Sequence, residues 1–195
     1  MRIEGLMGDR LIRHLRDLAT LRITVFREWP YLYDGDYVYE ERYLAAFAAA
    51  KGAVIVGAFD GDELVGASTA APMAHQTENI WGPIQRAGFA PIQSFYFGES
   101  VLKKRYRGQG LGVTFFQIRE AHAQAFGGIQ RTFFSSVIRD TNDARIPEDF
   151  RPLDGFWRKR GYAAVPGLTC TISWKEVGQA EESDHALQFW MKEIG

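Results

Sequence analysis

The sequence predicts an α+β fold, and three observations carry that expectation. Apolar residues recur at helical spacing in some segments and crowd into short strand-like runs in others. The two kinds of segment follow one another in a mixed order, helices first, then a hairpin, then alternating strand and helix. Of the 195 residues 46% are hydrophobic and 14% aromatic, enough for a substantial core in one domain spanning residues 1–195.

Asp9 to Arg27 places Leu11, Leu15, Leu18, Leu21, Ile23 and Val25 mostly at helical spacing, and Pro30 helps to end the helix. Tyr37 to Ala50 reads as a second helix, with Tyr39, Tyr43, Leu44 and Phe47 as packing residues. The runs Ala53–Phe59 and Leu64–Ala71 flank Asp60-Gly61-Asp62-Glu63, a hairpin signal. Met73 to Ile92, with Gly82-Pro83, Gly88 and Pro91, is a loop or short helix over the sheet. Ser94 to Leu102 is a mostly buried strand ending at Lys103, Lys104 and Arg105. After it, Val113 to Phe126 is an amphipathic helix, with Leu111, Phe115, Ile118, His122 and Ala125 along one face. Thr132 to Ile138 is a strand, Arg139 to Pro152 a polar loop, and Asp154 to Arg160 a short helix stopped by Gly161. The runs YAAV and LTCTISW read as two strands joined through Pro166-Gly167, and SDHALQFWMKEI as a last helix capped by Ser183 or Asp184.

The segment Tyr106-Arg107-Gly108-Gln109-Gly110-Leu111-Gly112 joins the strand at Ser94–Leu102 to the following helix. Glycines at alternate positions let backbone approach a phosphate, and the first free N–H groups of the helix point at it. Arg107 adds a charge at the rim, so the segment is an anion cradle suited to a pyrophosphate. A Walker loop needs a Lys and a hydroxyl residue after its last Gly, and the dinucleotide fingerprint needs GxGxxG; neither pattern is present.

The segment resembles the coenzyme A motif Q/R-x-x-G-x-G/A of the GNAT superfamily of N-acetyltransferases, with Arg107, Gly110 and Gly112 in the three defined positions and Gly108 as the frequent extra glycine. FWRKRGY (Phe156 to Tyr162) is similar to the superfamily's second segment, usually FYEKLGF. The two segments and their flanking strands cover roughly the second half of the chain. The resemblance implies a mixed, largely antiparallel twisted sheet of six to seven strands flanked by helices, with the fourth and fifth strands splayed around the cofactor. It implies acetyl-CoA as cosubstrate, held by Arg107, Gly108, Gln109, Gly110, Leu111 and Gly112, with Val101, Leu102 and Trp157 also at the cofactor. Leu102 corresponds to the residue whose backbone binds the carbonyl or pantetheine amide.

Acetyl transfer needs a proton taken from an amine whose ordinary pKa is about 10.4. Glu99, three residues before Leu102 on the same strand, is the first choice for that base. A carboxylate among Phe95, Phe97 and Val101 is costly to bury unless paired or used; the structural alternative is that it faces solvent or pairs with a Lys or Arg. Asp140, Glu148, Asp149 and Asp154 are weaker candidates. At the family's general-acid Tyr this chain has Trp157, which can donate a hydrogen bond but is no useful acid. Tyr162 replaces the motif's final Phe and is not assigned the role. The departure keeps open a second reading, an acyl-CoA-binding sensor without efficient catalysis.

Arg27 to Tyr43 interleaves aromatic residues, Trp29, Tyr31 and Tyr33 among them, with Asp34, Asp36, Glu40 and Glu41. Aromatic faces beside carboxylates suit an amine of a small molecule or peptide, so Trp29, Tyr31, Tyr33 and Glu99 are the acceptor-site candidates. The same pattern also fits a helix–loop–helix whose Tyr bodies pack and whose hydroxyls meet water. Phe95, Phe97, Phe115, Phe133 and Phe134 are core candidates.

The net charge of −1 argues against a nucleic-acid partner bound through a basic field. No run is long and apolar enough for a signal peptide or membrane span, so no membrane partner is expected and a cytoplasmic location is the default. Cys170, the single cysteine, is expected to be a buried inert thiol, and no metal site is expected from the spacing of the four histidines. The apolar tail around Phe189, Trp190 and Met191 is left to pack on its own sheet or on a partner copy in a homodimer.

Overall fold

The chain builds one seven-stranded sheet, in the spatial order β1-β2-β3-β4-β5-β7-β6. The computed structural model describes residues 1–195, the surroundings of Gly8 excepted. The strands are β1 (Arg2–Leu6), β2 (Val54–Asp60), β3 (Glu63–Pro72), β4 (Ser94–Leu102), β5 (Arg131–Val137), β6 (Ala163–Lys175) and β7 (Glu182–Glu193). The helices are α1 (Gly8–Phe26), α2 (Tyr37–Ala49), α3 (Glu78–Arg86), α4 (Leu111–Phe126) and α5 (Asp154–Lys159). Neighbouring strands are antiparallel except β4 and β5, which run parallel.

Most elements lie where periodicity and turn chemistry put them. Asp60 and Glu63 close the β2–β3 hairpin, with Gly61 at φ 59° in the left-handed region that the turn demands. The side chain of Asp36 accepts a 2.9 Å hydrogen bond from the Tyr39 N–H and so caps α2. Gly161, at φ 88°, follows the end of α5.

Helices cover both faces. On one, Leu18 and Leu21 of α1 and Leu44 and Phe47 of α2 pack on Ile55, Phe59 and Val101. Further along that face, Ile80 and Ile84 of α3 meet Tyr96, Phe133, Leu187 and Phe189. On the other, α4 packs Leu111 and Phe115 on Val56 and Val65. Phe116 and Ala123 of α4 join Phe95, Phe97, Phe134, Tyr162 and Trp190 there.

Four expectations are corrected. The tail is strand β7, inserted between β5 and β6, rather than a helix. Its Phe189 and Trp190 are buried in the chain's own sheet. YAAV and LTCTISW form one strand, β6, whose pairing with β7 is interrupted between Ala164 and Thr169, where Pro166 withholds a donor. The N-terminal residues add β1, an edge strand paired with β2. The packed side of α4 is Leu111, Phe115, Phe116, Arg119 and Ala123, and Ala125 is exposed; on α2, Tyr39 is exposed and Glu40 is buried instead.

Two departures from ladder regularity shape the middle of the sheet. The β4–β5 pairing covers only Ser94–Tyr96 with Arg131–Phe133, so beyond Tyr96 the β4 edge is left without a β5 partner. Between Ser68 and Ala70 the β3–β4 register shifts, so that Thr69 stands opposite the two residues Gly98 and Glu99. This β-bulge breaks the alternation of β4. Phe95 and Phe97 face α4, and strict alternation would send Glu99 and Val101 the same way. Past the bulge, Val101 packs with α1 and α2, and the Glu99 side chain reaches those helices too.

Candidate functional site

The loop before α4 is built by its glycines. Gly108 and Gly110 have φ of 78° and 85°, where other residues are strained, and a Cβ at either would meet nothing within 4 Å. The space over the loop is therefore open. The first helical hydrogen bonds are those from the Val113 and Thr114 N–H groups to the Gly110 carbonyl, at 2.9 and 3.1 Å. Among the described residues, no protein acceptor takes the N–H groups of Gly108 through Gly112. Those donors sit at the positive end of a 16-residue helix, the usual makings of an anion site. Leu111 is anchored in the core with Tyr106 and Phe115. Gly112 serves packing: a Cβ there would lie 3.3 Å from Cζ of Phe156 on α5.

The side chains around the loop are engaged with protein partners. Arg107 donates through Nε to the Leu102 carbonyl at 3.0 Å and through Nη2 to Glu28 Oε2 at 2.8 Å. Gln109 folds back onto the Arg105 carbonyl at 3.0 Å. Lys103 and Arg105 both pair with Glu63, and Lys104 pairs with Asp149. The local cations being paired, the unpaired backbone donors are what distinguishes this loop.

Leu102 looks into the gap between β4 and β5. The Lys103 N–H donates to the Val65 carbonyl of β3, at 2.9 Å, so the alternating groups of Leu102 point away from β3. Its carbonyl is taken by Arg107. Its N–H faces the opening where β5 has diverged.

Glu99 stands on the other side of the bulge, 8% exposed. Its Oε1 is in ion-pair contact with Arg22 of α1, and Oε2 accepts from the Tyr43 hydroxyl at 3.3 Å. Arg22 also donates through Nε to Glu40, which is completely buried. Two carboxylates thus share one guanidinium, which lies 4.5 Å from the ring centre of Tyr43. Burial alone would pull the Arg22 guanidinium down; Glu99, Tyr43 and Glu40 more than reverse this, so it is firmly charged. Burial and then Glu99 push the Tyr31 phenol up to about 12. Burial and then Glu40 raise Tyr33, and burial and then Glu99 raise Tyr43. These phenols are neutral hydrogen-bonding groups at physiological pH.

Of the acceptor-site candidates, Tyr31, packed on Phe26 and Trp174, and Tyr33 are within electrostatic reach of Glu99 and Glu40 respectively. Trp29 is not: it lies against Phe150, with the guanidinium groups of Arg139 and Arg145 at 5.6 and 6.0 Å from its ring. Trp157 packs on Phe134 and Trp190, and Phe156 is the neighbouring residue that touches the helix of the cradle. Tyr162 is buried, its hydroxyl bonded to Thr132 Oγ1 at 2.9 Å and Glu120 Oε1 at 3.1 Å. Asp149 is tied to Lys104, and Asp140 accepts from the Asn142 N–H in its own turn. Cys170 is buried, which pushes its thiol up to about 11. Among the described residues no group of His, Cys, Asp and Glu is arranged to hold a metal ion, and no helix is long and apolar enough to cross a membrane.

Arg22, Glu40, Tyr43 and Arg119 complete the centre; Arg22 and Arg119 are absent from the sequence reading, which has Tyr43 as a packing residue and Glu40 among the carboxylates of the aromatic segment. Three of them carried a signal: Arg22, Glu40 and Arg119 are charged residues on apolar helix faces, four residues from Leu18, Leu44 and Phe115 or Ala123.

No protein-family model matches the chain, and no curated protein matches it in sequence. Solved structures do match over its whole length. One is an aminoglycoside 6'-N-acetyltransferase complexed with coenzyme A, with a TM-score of 0.61 at 19% identity over 100% of this chain and 98% of that one. Another is ribosomal-protein-alanine N-acetyltransferase from Brucella melitensis, with a TM-score of 0.63 at 15% identity over 99% of both chains. A third is the acetyltransferase of the GNAT family from Streptococcus pneumoniae, with a TM-score of 0.58 at 14% identity over 100% of this chain and 99% of that one. With its parallel β4–β5 pair opening into a gap beside the glycine loop of α4, the chain has the GNAT acetyltransferase fold.

Proposed function

We propose that this protein is an N-acetyltransferase that moves the acetyl group of acetyl-CoA to a primary amine of a small molecule or peptide. The observation that carries the reading is the row of unpaired N–H groups from Gly108 to Gly112, opening beside the splayed edge of β4 that bears Leu102 and, across the bulge, Glu99. In this reading the backbone of Gly108 to Gly112 holds the pyrophosphate. Arg107 exchanges Glu28 for a phosphate oxygen, and the pantetheine arm runs through the β4–β5 gap past Val101 and Leu102.

The steps follow from charge and reach. The bound ammonium gives a proton to Glu99, directly or through water, which frees the nitrogen lone pair. The nitrogen attacks the thioester carbonyl carbon, the negative charge that develops on the carbonyl oxygen is met by the Leu102 N–H, and the second proton, made acidic by the new N–C bond, leaves to water. Tyr31 and Tyr33 line the acceptor side, where Glu40 and Glu99 against the one Arg22 leave an excess negative charge that favours a cationic amine. The C–S bond then breaks and sulfur leaves as thiolate. A thiol's ordinary pKa of about 8.5 makes that departure feasible without a Tyr acid, which suits a chain with Trp157 at that position and Tyr162 committed to Thr132 and Glu120. No metal enters the scheme.

The test is coenzyme A release from acetyl-CoA with kanamycin, spermidine and an Ala-initiated peptide as acceptors. Turnover with any of them that falls at least tenfold in Glu99→Gln supports the assignment. Binding of acetyl-CoA without release would favour the second reading, a sensor of acyl-CoA, for which the Trp157 substitution is the specific argument.

A further inference from the structure

We infer that Arg119, on the opposite side of the sheet from the acceptor residues, is the positioning residue that locks the β4 bulge and so aims Glu99. The inference rests on the proposed role of Glu99. Arg119 is 1% exposed, and among the described residues it has no carboxylate partner. Its guanidinium lies against the rings of Phe97 and Phe116, at 4.4 and 4.8 Å from their centres. Nη1 donates to the carbonyl oxygens of Thr69 at 3.3 Å and Glu99 at 3.2 Å, and Nε donates to the Phe115 carbonyl at 3.2 Å.

Thr69 and Glu99 are residues of the register shift. A bulge separates carbonyls from their ladder partners, and a buried carbonyl left unpaired is costly. Arg119 inserts from the α4 face and bonds both. The Glu99 N–H is held from the same seam by Thr69 Oγ1, at 3.2 Å. Together these contacts fix the one place where β4 changes face. Without the bulge, Glu99 would follow Phe95 and Phe97 toward α4, away from Arg22 and Tyr43. Burying a cation without a direct ion pair carries a penalty, and desolvation, only partly offset by Tyr162, Glu99 and Glu120, pulls this guanidinium down to about 10. A simple packing role would be met at less cost by an apolar side chain of similar length.

The comparison is Arg119→Met against the wild-type protein, with amide hydrogen exchange and urea unfolding as readouts beside turnover. Met keeps the apolar stem against the two rings and removes the donors. Exchange at Glu99 and Val101, whose N–H groups face β3, should accelerate at least tenfold while β1 and β2 keep their protection. Relief of the buried charge offsets only part of the cost of the two carbonyls left unpaired, so the urea midpoint should fall modestly, and kcat for acetyl transfer to the responsive acceptor should drop at least tenfold with the KM for acetyl-CoA unchanged. Arg119→Lys, which keeps one charged donor, should lie between the two and serves as the comparison if the Met variant does not fold. Unchanged exchange in β4, or a loss of protection spread evenly over the sheet, would overturn the inference. The exchange arm does not depend on turnover: if the wild-type protein releases no coenzyme A, the transferase reading fails while the claim about the bulge is still decided.

Discussion

Replacing Arg22 by Met removes the cation that Glu40 and Glu99 share while keeping an apolar stem to pack on Phe26 and Tyr43. The side chain is 11% exposed, Glu40 is fully enclosed and Glu99 nearly so, so water offers little screening of the carboxylates left behind. Breaking a buried pair from one side costs about 3–5 kcal/mol, because the partner charge stays buried and unmatched. For a domain of this size each kcal/mol moves the midpoint by about 2–4 °C, so the melting temperature should drop by roughly 6–20 °C. Urea unfolding should report the same loss in midpoint without a change in slope. The triple variant R22M/E40Q/E99Q has no unmatched charge and should recover at least half of that loss, a non-additivity expected of groups in one network. If R22M costs less than about 1 kcal/mol, the value of an exposed pair, the network is not buried as described. If the triple variant is no better than the single one, the loss came from packing and the electrostatic account is wrong.

Other consequences can be checked with simple binding and titration experiments. Gly110→Asp places a side chain at φ 85° and a negative charge over the cradle, and it should weaken acetyl-CoA binding by roughly 100-fold or more in calorimetry; retained affinity would reject the site. Glu28→Gln frees Arg107 from its exposed ion pair and should tighten acetyl-CoA binding by roughly 1.5- to 5-fold, whereas weaker binding would show that Glu28 orients Arg107 rather than competing for it. Tyr31 has a folded pKa raised from 10.0 to about 12 by burial and Glu99. A raised pKa contributes stability that is whole below pH 10 and is lost as pH rises toward 12. Absorbance at 295 nm should therefore show Tyr31, Tyr43, Tyr96 and Tyr162 ionising only well above pH 10, with alkaline unfolding; a titration of all eight tyrosines complete near pH 10 in folded protein would contradict the burial of Tyr96 and Tyr162.

Much of the fold was legible in the sequence because local chemistry and tertiary structure agree along most of the chain. The Asp60–Glu63 turn, the Gly108–Gly112 loop and the stop at Gly161 each need a backbone geometry that few residues supply, so the residue types announce them. The tail's local chemistry points to a helix because Ser183 and Asp184 imitate a helix cap and Ala186, Leu187 and Gln188 are good helix formers. Pairing with β5 and β6 on both edges overrode that propensity, and the period-two series His185, Leu187 and Phe189, all buried, was the signal that mattered. The cradle could be read because it is contiguous. The centre around Glu99 could not, because it draws on α1, α2, β3, β4 and α4, and because the bulge reverses which face β4 offers after Phe97. Alternation alone would have placed Glu99 on the wrong side of the sheet. The glycine at position 98 was its one local hint, since glycine inside a strand often marks a bulge.

Thermal unfolding with acetyl-CoA beside coenzyme A, ATP and NAD asks whether the loop from Gly108 to Gly112 holds the pyrophosphate of a coenzyme A thioester. A ligand at a hundredfold above its dissociation constant adds about 2.7 kcal/mol. For this domain that is a shift of roughly 5–11 °C. That shift is expected with acetyl-CoA and coenzyme A alone; a shift only with ATP or NAD, or none with any of the four, would rule out the coenzyme A site.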